Sequence, residues 1–425
     1  MYSAIVHWPS APVTKSLVLK SLSSLTPPIP IVDSPDQEQA TLFWSTYDEI
    51  DHELVHSRRT TVLSSCYTFR KALIRKHFLS RCISQFIAKN PQSPLKAAAP
   101  RTYEIELSFL DELDEMFVDE LWELGKELEE KQSWWILKPG MADRGNGVRM
   151  FNSRAALERI FEEFEEAEDD DDDDQDSTAV VASQLRHFVI QEYLSNPLLL
   201  DPLEALSDKP QVLVGRKFHL RVYCVAAGAL KVYFFHKILA LFAATPYTQP
   251  SVVEDEDGDP LPIDLSSHLT NTSLQTEKGD ENVRLLEELV SCHILSDDSQ
   301  SRLSEEDMKN ILDQIAVILA DTFRAAVQVP THFQPVPNSF ELFGVDFLVT
   351  HSPSLPNPYQ VALLEVNAEP SIELTGPRLS WILEDLFIAV GKACVDPFFT
   401  QEITPWPVGE TREGLIKCLE MELGM

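Results

Sequence analysis

Two polar residues stand at the end of an apolar run in the C-terminal part of the sequence. Residues 363 to 371 read LLEVNAEPS, in which Val366 separates Glu365 from Asn367. Side chains alternate between the two faces of a β-strand, so Glu365 and Asn367 share one face. A strand edge that turns into a loop would explain them, because Asn and Pro favour turns. The alternative explanation is a magnesium site, since carboxylate and amide oxygens are ligands for Mg²⁺.

A third oxygen donor belongs to a neighbouring apolar run. Asp346 is flanked by Val345 and Phe347 in FELFGVDFLV, which predicts another strand. Any one of the three donors alone is more often a polar group at a strand end. Two carboxylates and an amide on adjacent strands, in an apolar setting, are the hard oxygen ligands that Mg²⁺ takes together with waters and phosphates. The three residues therefore predict a metal site.

A lysine and a glycine-containing loop are the first candidates for phosphate binding. Lys138 ends the apolar run SWWILKPG and precedes a loop with Gly145 and Gly147. Glycine lets backbone N–H groups approach phosphate oxygens, and the lysine adds a positive charge. A lone G-x-G sequence is weak evidence, so this loop needs support from other residues.

A second cationic group lies in the segment GRKFHLRVY. Lys217, His219 and Arg221 alternate with apolar residues, so they share one face of a predicted strand. That face is either a solvated sheet surface or one wall of a cleft that binds a polyanion. The segment HLTNTSLQ, which is typical of a loop, adds His268, Thr270 and Asn271.

Hydrophobic periodicity predicts the elements that must position these residues. Helices are expected over 61–90, 104–132, 153–168, 305–328 and about 378–395. Strands are expected in SAIVHW near the N-terminus, at 133–140, before residue 151, at the start of 186–200, and as a pair over 340–350 and 359–371. Residues 215–247 predict two long strands joined by a turn at Ala227-Gly228.

Charge and cysteine usage limit the function classes. The 425 residues carry a net charge of -33, and residues 162 to 176 contain 12 acidic residues and no basic one. An acidic field repels nucleic acid at long range, so we expect no direct nucleic-acid binding. Six scattered cysteines without a C-x-x-C pair indicate a reducing compartment, which we take as the cytoplasm. No apolar run is long enough to predict a membrane span.

In combination, the motifs resemble those of the tubulin-tyrosine ligase family, whose members are ATP-grasp enzymes. From Trp135 to Pro370 the chain carries, in family order, WILKP, a G-x-G loop, QEYLSNP, RKFHLRVY, HLTN, FELFGVD and LLEVN. The basic segment TFRKALIRK also resembles the N-terminal region of the family. The wording of RKFHLRVY and LALFAATPY is most similar to the fungal branch, some of whose members belong to cytoplasmic mRNA-processing bodies.

The resemblance implies an α+β ATP-grasp fold, in which the nucleotide lies between two α+β subdomains, with a small N-terminal α/β domain. The domains expected on this basis are 1–60, the N-terminal domain; 61–214, the central subdomain with an acidic insertion at about 165–180; and 215–425, the C-terminal subdomain with insertions at about 250–262 and 276–305.

The resemblance also implies roles for individual residues. ATP would be held by Lys138 with help from Lys71, by Lys217, and by the loop with Gly145 and Gly147. The adenine hinge would be Gln191, Glu192, Tyr193 and Leu194. The ribose and substrate side would be contacted by His268, Thr270 and Asn271. The catalytic residues would be Arg221, Lys217 and His219, and Mg²⁺ would be bound by Asp346, Glu365 and Asn367.

The implied reaction is ATP- and Mg²⁺-dependent addition of an amino acid to a protein C-terminus through an acyl phosphate. The implied partners are a free amino acid and a protein acceptor such as the tubulin C-terminal tail. The alternative is an ATP-binding module with weak or no ligase activity that serves as an interaction scaffold for mRNA-decay proteins. Chance occurrence of the motifs is disfavoured, because they are several and in order.

Three departures from the family favour the scaffold alternative. Many members have an acidic residue where this chain has His219, and many have an arginine where counting from Pro246-Tyr247 gives Leu241. Losing an arginine that stabilises transition-state charge reduces the rate strongly. Lys237 and His236 are the nearest substitutes in the sequence. The third departure is the acidic charge, because acidic tubulin tails call for a basic groove.

Overall fold

The computed structural model describes residues 2–36, 39–107, 110–130, 133–140, 147–169, 187–206, 210–252, 263–270, 279–401 and 404–422. Gly145 and Asn271, together with residues 170–176 of the acidic run, lie outside the described residues. In the part that is described, the strands form three sheets of three, four and nine strands. No helix within these ranges is both long enough and apolar enough to cross a membrane.

The N-terminal sheet consists of three parallel strands with two helices. Its elements are β1 (Tyr2–Ile5), α1 (Pro12–Ser24), β2 (Ala40–Phe43), α2 (His52–Ser57) and β3 (Val62–Ser64). The helix predicted over 61–90 is wrong at its start, because the buried run Val62–Ser64 pairs with β2. Its remainder is confirmed as α3 (Lys71–Ile74) and α4 (Lys76–Lys89), followed by α5 (Leu95–Ala98).

The second sheet has four antiparallel strands in the order β4, β7, β5, β6. Its elements are β4 (Thr102–Glu106), α6 (Glu112–Val118), α7 (Trp122–Glu130), β5 (Trp135–Pro139), β6 (Arg149–Phe151), α8 (Arg154–Asp169) and β7 (His187–Glu192). The helix predicted over 104–132 begins too early, because residues 102–106 pair with β7. Trp135 and Leu137 pack under the helices, and alternation turns Ile136 and Lys138 to the opposite face.

The third sheet has nine strands around the long strand β9. Its strands are β8 (Leu199–Leu200), β9 (Arg216–Ala227), β10 (Lys231–Phe235), β11 (Leu239–Phe242), β12 (Val283–Leu285), β13 (Phe340–His351), β14 (Tyr359–Ala368), β15 (Thr411–Arg412) and β16 (Leu415–Glu420). The turn predicted at Ala227-Gly228 is confirmed, and Gly228 has φ of 59°. The second predicted strand of this pair is two strands, because β10 pairs with the end of β9 and β11 with its start.

Helices cover the two faces of the nine-stranded sheet. The predicted helix at 305–328 is confirmed as α9 (Glu305–Val327), which Ser304 caps by accepting from the Asp307 N–H at 3.1 Å. The last predicted helix is α10 (Ser380–Val390), a π-helical turn and α11 (Asp396–Thr400). The helices α4 and α9 pack into the largest core together with Phe218, Leu220 and Val222 of β9. The alternate residues of β9 therefore face away from this core.

Candidate functional site

The strand pair β13 and β14 brings together the three predicted metal ligands. Asp346 lies opposite Glu365, and Gly344 lies opposite Asn367. The Asn367 amide nitrogen is 3.3 Å from Asp346 Oδ2 and 3.2 Å from Glu365 Oε1. Cross-strand pairing thus places both carboxylates within hydrogen-bonding distance of the same amide.

Arg221 is the cation that neutralises Asp346. The two residues are paired between β9 and β13, and the guanidinium donates two hydrogen bonds to the carboxylate, one of them from Nη2 at 2.9 Å. Burial lowers the pKa of Arg221, but this ion pair raises it above its ordinary value. An ion bound at Asp346 must therefore share this carboxylate with Arg221 or displace the arginine.

His219 lies beside the same carboxylate. Its Nε2 is 3.7 Å from Asp346 Oδ1, and its Nδ1 is 2.5 Å from the hydroxyl oxygen of Thr270. Burial lowers the pKa of His219, although Asp346 opposes the shift. The side chain is neutral at pH 7, so it does not supply the acidic group that many family members have here.

Glu365 contacts a lysine that the sequence reasoning missed. Lys76 of α4 has its Nζ 3.5 Å from Glu365 Oε2. Burial raises the pKa of Glu365, but Lys76 and Lys138 outweigh burial and lower it to about 2. Lys71, which the sequence reasoning preferred, is exposed at the first residue of α3. The two lysines lie five positions apart in one basic segment, and only the break between α3 and α4 distinguishes them.

Lys138 extends from the four-stranded sheet towards these carboxylates. Its ammonium donates to the Gln191 side-chain oxygen at 2.7 Å. Burial lowers the pKa of Lys138 to about 8, while Glu365 and Asp346 favour the charged form. This lysine and the oxygen donors on β13 and β14 consequently share one electrostatic environment, although they belong to different sheets.

Lys217 is the second buried lysine between the sheets. Burial and, to a lesser extent, the positive charge of Lys138 together lower its pKa to about 7. Its ammonium lies 4.3 Å from the centre of the Tyr193 ring, a cation–π contact. The described residues offer Lys217 no carboxylate partner in an ion pair. An anion that enters between Lys138 and Lys217 would relieve the cost of burying both charges.

An apolar patch adjoins the lysines. Ile136, Val148, Met150 and Tyr193 are buried together, with Leu269 packed against them. The Tyr193 hydroxyl is 2.9 Å from His268 Nδ1, and burial lowers the pKa of His268 to about 4. An apolar wall next to two lysines suits a molecule with an aromatic base and a phosphate chain.

The other predicted hinge and loop residues surround this patch. Glu192 turns outward and accepts from Arg101 at 3.0 and 3.1 Å, while Leu194 is half-buried. Gly147 has φ of 69°, and a Cβ atom there would lie 2.8 Å from Pro139 Cγ, so this position requires glycine. Gly145 and Asn271 lie outside the described residues, and their predicted roles stay predictions.

Leu241 lies on the site side of the sheet. It is paired with His219 across β11 and β9, and it packs with Leu239 in an apolar cluster. The two candidate substitutes are engaged elsewhere. Lys237 donates to Glu287 at 2.7 and 2.9 Å, and His236 Nδ1 is bonded to the Gly414 carbonyl at 2.9 Å. Neither supplies the missing positive charge at Leu241.

A cavity of about 240 Å³ opens beside Lys138 and Glu365. Its polar lining comes from α4, β5, β7 and β14 among other elements, and the remainder of the lining is apolar. The polar residues that line it include Lys76, Lys138, Gln191, Glu365 and Asn367. The chain as a whole is acidic, but this cavity is locally basic.

The donor set fits magnesium better than a softer metal. In the described part of the chain, no group of three or more His, Cys, Asp and Glu residues is arranged to hold a metal. Asp346, Glu365 and Asn367 offer two carboxylates and one amide oxygen. Mg²⁺ commonly takes one or two carboxylates and completes its shell with waters and phosphate oxygens, so the site suits a metal that arrives with a nucleotide.

Comparison with known proteins adds independent evidence. The model of the tubulin-tyrosine ligase family matches residues 57–403. The chain is 40% identical over 384 residues to the probable tubulin–tyrosine ligase PBY1 of Saccharomyces cerevisiae, which is 86% of this chain but 47% of that protein. It is 37% identical over 380 residues to the probable tubulin–tyrosine ligase C12B10.04 of Schizosaccharomyces pombe, covering 85% and 84% of the two chains. The chain thus spans about half the length of the first relative.

A solved structure is similar over nearly the whole chain. It is the C-terminal domain of Pby1 from K. lactis, described as an ATP-grasp enzyme that interacts with the mRNA decapping enzyme Dcp2. The TM-score is 0.67 at 30% sequence identity, and the match covers 99% of this chain and 100% of that domain.

Proposed function

The chain belongs to the tubulin-tyrosine ligase family and has the α+β ATP-grasp fold, and we propose that it is an ATP- and Mg²⁺-dependent carboxylate–amine ligase. The proposed reaction adds an amino acid to a protein C-terminus, for which a tubulin tail is the first acceptor to test. The observation that carries the proposal is the convergence of Lys138, Lys217 and the carboxylates Asp346 and Glu365 between two sheets.

In the proposed complex, the base of ATP lies against Tyr193 and Met150, and its phosphates lie between Lys138 and Lys217. Lys217 is buried and Lys138 is half-buried, and among the described residues neither forms an ion pair with a carboxylate, so phosphate oxygens would supply a direct counter-charge. Asp346, Glu365 and Asn367 would hold Mg²⁺, which neutralises phosphate charge when it is bound. Lys76 would hold Glu365 in its ionised form.

The proposed chemistry proceeds in two displacements. A carboxylate oxygen of the acceptor attacks the γ-phosphorus, the bond to ADP breaks, and an acyl phosphate forms. The amine nitrogen then bonds to the acyl carbon, inorganic phosphate leaves, and the amine gives its protons to solvent. Lys138, Lys217 and Arg221 position the reactants and compensate their charge, and no covalent enzyme intermediate is required.

The proposal is tested by binding and by turnover. ATP should raise the melting temperature, and Mg²⁺ should increase this effect. Phosphate release from ATP should then require both an acceptor peptide with a tubulin-tail C-terminus and a free amino acid. If ATP stabilises the protein but none of the twenty amino acids stimulates phosphate release with any acceptor, the ligase proposal fails.

The second candidate is an ATP-binding scaffold with weak or no ligase activity. It is favoured by Leu241, which is buried where many family members have an arginine. The similar K. lactis domain is described as interacting with a decapping enzyme, which makes mRNA-decay proteins in cytoplasmic bodies the proposed partners. Measuring the binding of purified decapping enzyme to this chain, together with the phosphate-release assay, distinguishes the two candidates.

A further inference from the structure

A second cavity lies outside the nucleotide site, between the three-stranded sheet and the beginning of β13. Its volume is about 250 Å³. A cavity of this volume has room for a molecule of amino-acid size. The cavity exists because β14 leaves the sheet after Ala368, which pairs with Phe343. The edge of β13 at Phe340 and Leu342 is covered by N-terminal residues instead.

One side of the cavity is aromatic. Trp8, Trp44 and Phe340 line it, and Trp44 packs edge-to-face with Phe340 at a centroid distance of 5.3 Å. The indole N–H of Trp8 donates to the Trp44 carbonyl at 2.9 Å, so it is already satisfied. These walls offer apolar contact rather than hydrogen bonds, and a ligand that uses them needs an apolar body.

The lining of the cavity also includes one guanidinium and two carboxylates. Arg70 donates a hydrogen bond to Glu341, and Nη2 of Arg70 lies 3.8 Å from Glu369 Oε1. Glu341 also accepts a hydrogen bond from the Tyr67 N–H at 3.1 Å. Burial raises the pKa of Glu341 to about 7 although Arg70 opposes this shift, so a cation in the cavity would favour its ionised form. The ion pair of Arg70 and Glu341 leaves Glu369 as the excess negative charge.

Glu369 is the charged group that a ligand can reach. Its side chain is 39% exposed, whereas that of Glu341 is 3% exposed. One oxygen accepts from the Tyr47 N–H at 3.1 Å. Its second oxygen has no hydrogen-bond partner among the residues that the structure describes. A cationic ligand is therefore favoured over an anionic one.

This cavity adjoins the proposed phosphate site through Pro370. Glu369 and Pro370 follow Asn367 in the chain after a single residue, Ala368. A Cβ atom at Gly344 would lie 2.8 Å from Pro370 Cβ and 3.2 Å from Arg221 Cδ. Pro370, which lines the cavity, and Arg221, which pairs with Asp346, thus both contact Gly344. The cavity and the proposed phosphate site are therefore neighbours.

We propose that this cavity binds the amine substrate, a free amino acid whose ammonium group pairs with Glu369 and whose side chain packs against Trp8 and Trp44. The inference rests on the proposed ligase function, because a ligase must hold an amine beside the acyl phosphate. The alternative is that these charges only attach the N-terminal segment to β13. The ion pair between Arg70 and Glu341 would be enough for that, and neither Glu369 nor a cavity would be required.

Calorimetric titration tests the inference on the full chain saturated with Mg²⁺ and a non-hydrolysable ATP analogue. Each of the twenty free amino acids is titrated, and the tightest binder is compared with its N-acetyl derivative, which lacks the ammonium charge. We expect at least one amino acid to bind and its N-acetyl form to bind at least about tenfold more weakly. Glu369→Gln should weaken the binding of the same amino acid by about tenfold. Ala11→Leu, which places a larger side chain in the cavity, should weaken it by a similar factor.

Glu413→Gln is the matched control. Glu413 has φ of 49°, close to the 48° of Glu369, and it pairs with Lys392 at 2.8 Å, and neither of these two residues lines the cavity. This variant should bind the amino acid as the unaltered protein does. If the nucleotide analogue binds but no amino acid does, or if both cavity variants bind it normally, the inference is overturned while the nucleotide site stands. If the nucleotide analogue itself does not bind, the proposed function fails.

Discussion

Lys217 is the residue whose environment most strongly favours the binding of an anionic ligand. It is buried, its ammonium faces an aromatic ring, and its pKa is lowered to about 7 by burial and by Lys138. Below pH 7 the folded protein buries a charged lysine without a carboxylate in ion-pair contact. The buried charge therefore lowers the stability of the folded protein until an anion binds. Such strongly shifted pKa values are common at functional sites.

Lys217→Met should stabilise the nucleotide-free protein at pH 6 to 7, by on the order of 2–4 kcal/mol. The folded pKa lies below the ordinary value of 10.5, so the cost is complete below pH 7 and disappears as pH rises towards 10.5. Denaturant unfolding at pH 6.5 and pH 10 measures the difference. Lys126→Met is the control, because Lys126 lies over the Trp122 ring at 4.8 Å but is exposed. Equal destabilisation by Lys217→Met at both values would contradict this account.

Glu365→Gln should abolish the part of ATP stabilisation that depends on Mg²⁺. The variant keeps the size of the side chain but removes a charge that Lys76 and Lys138 hold ionised at a pKa of about 2. It should also destabilise the nucleotide-free protein at pH 7, and this loss should shrink as the pH falls from 4.5 towards 2.

Melting temperatures with ATP, with and without Mg²⁺, measure the effect of Glu365→Gln. Glu104→Gln is the control, since Glu104 is a half-buried carboxylate paired with Arg81 at 2.7 Å on a different strand. If Mg²⁺ still increases the ATP-induced rise in melting temperature fully in Glu365→Gln, Glu365 is not a ligand of the proposed metal site.

Strand pairing is the element-scale feature that assembles the site. β13 lies between β9 and β14, so Asp346 meets Arg221 on one side and Glu365 on the other. Gly344 occupies the same strand two positions earlier, where Arg221 and Pro370 approach its backbone. The position excludes a side chain because these two neighbours already fill the space.

Gly344→Ala should therefore impair both proposed pockets at once. The added methyl group would lie 2.8 Å from Pro370 Cβ, which is closer than atoms can pack, so Pro370 or Arg221 must move. We expect a loss of about 1–3 kcal/mol in unfolding free energy and weaker binding of nucleotide and amino acid. Calorimetry and denaturant unfolding measure both effects.

Ser304→Ala is a useful comparison for Gly344→Ala. It removes the N-cap of α9, which packs on the face of the sheet opposite the site, at a cost of about 1 kcal/mol. It should lower stability without weakening nucleotide binding. If Gly344→Ala binds nucleotide and amino acid normally and loses only as much stability as Ser304→Ala, Gly344 has no role in shaping the two proposed pockets.

Elements with clear alternation or long periodicity were predictable from the sequence. The face of β9 that bears Lys217, His219 and Arg221 follows from period-2 alternation, and α9 follows from its apolar spacing. The short strand Val62–Ser64 was not predictable, because three residues pair only in the presence of β2. Lys76 was missed for a similar reason, since its contact with Glu365 depends on how α4 packs against β14.

At the scale of the whole molecule, a net charge of -33 surrounds a cavity rimmed by lysines. Long-range repulsion and local attraction therefore act in opposite directions on an acidic acceptor. Repulsion between separated charges is screened within about 10 Å at 0.1 M salt, whereas contacts inside a partly buried cavity are screened less. Encounter and binding should respond differently to ionic strength.

The association rate of an acidic tubulin-tail peptide should rise as NaCl increases from about 20 to 200 mM, because screening weakens the repulsion. A peptide with the same C-terminal residue but neutral upstream residues should show little change. Stopped-flow fluorescence with labelled peptides measures both rates. A rate that falls with salt for the acidic peptide would indicate that a basic surface, rather than the net charge, controls encounter.

The central claim is that one triphosphate and one metal ion bind between the four-stranded and nine-stranded sheets. An experimental structure with Mg²⁺ and a non-hydrolysable ATP analogue tests it most directly. The account predicts phosphate oxygens in hydrogen-bonding contact with Lys138 and Lys217, and a metal ion coordinated by Asp346, Glu365 and Asn367. A nucleotide bound elsewhere, or phosphates that leave both lysines without contact, would contradict it.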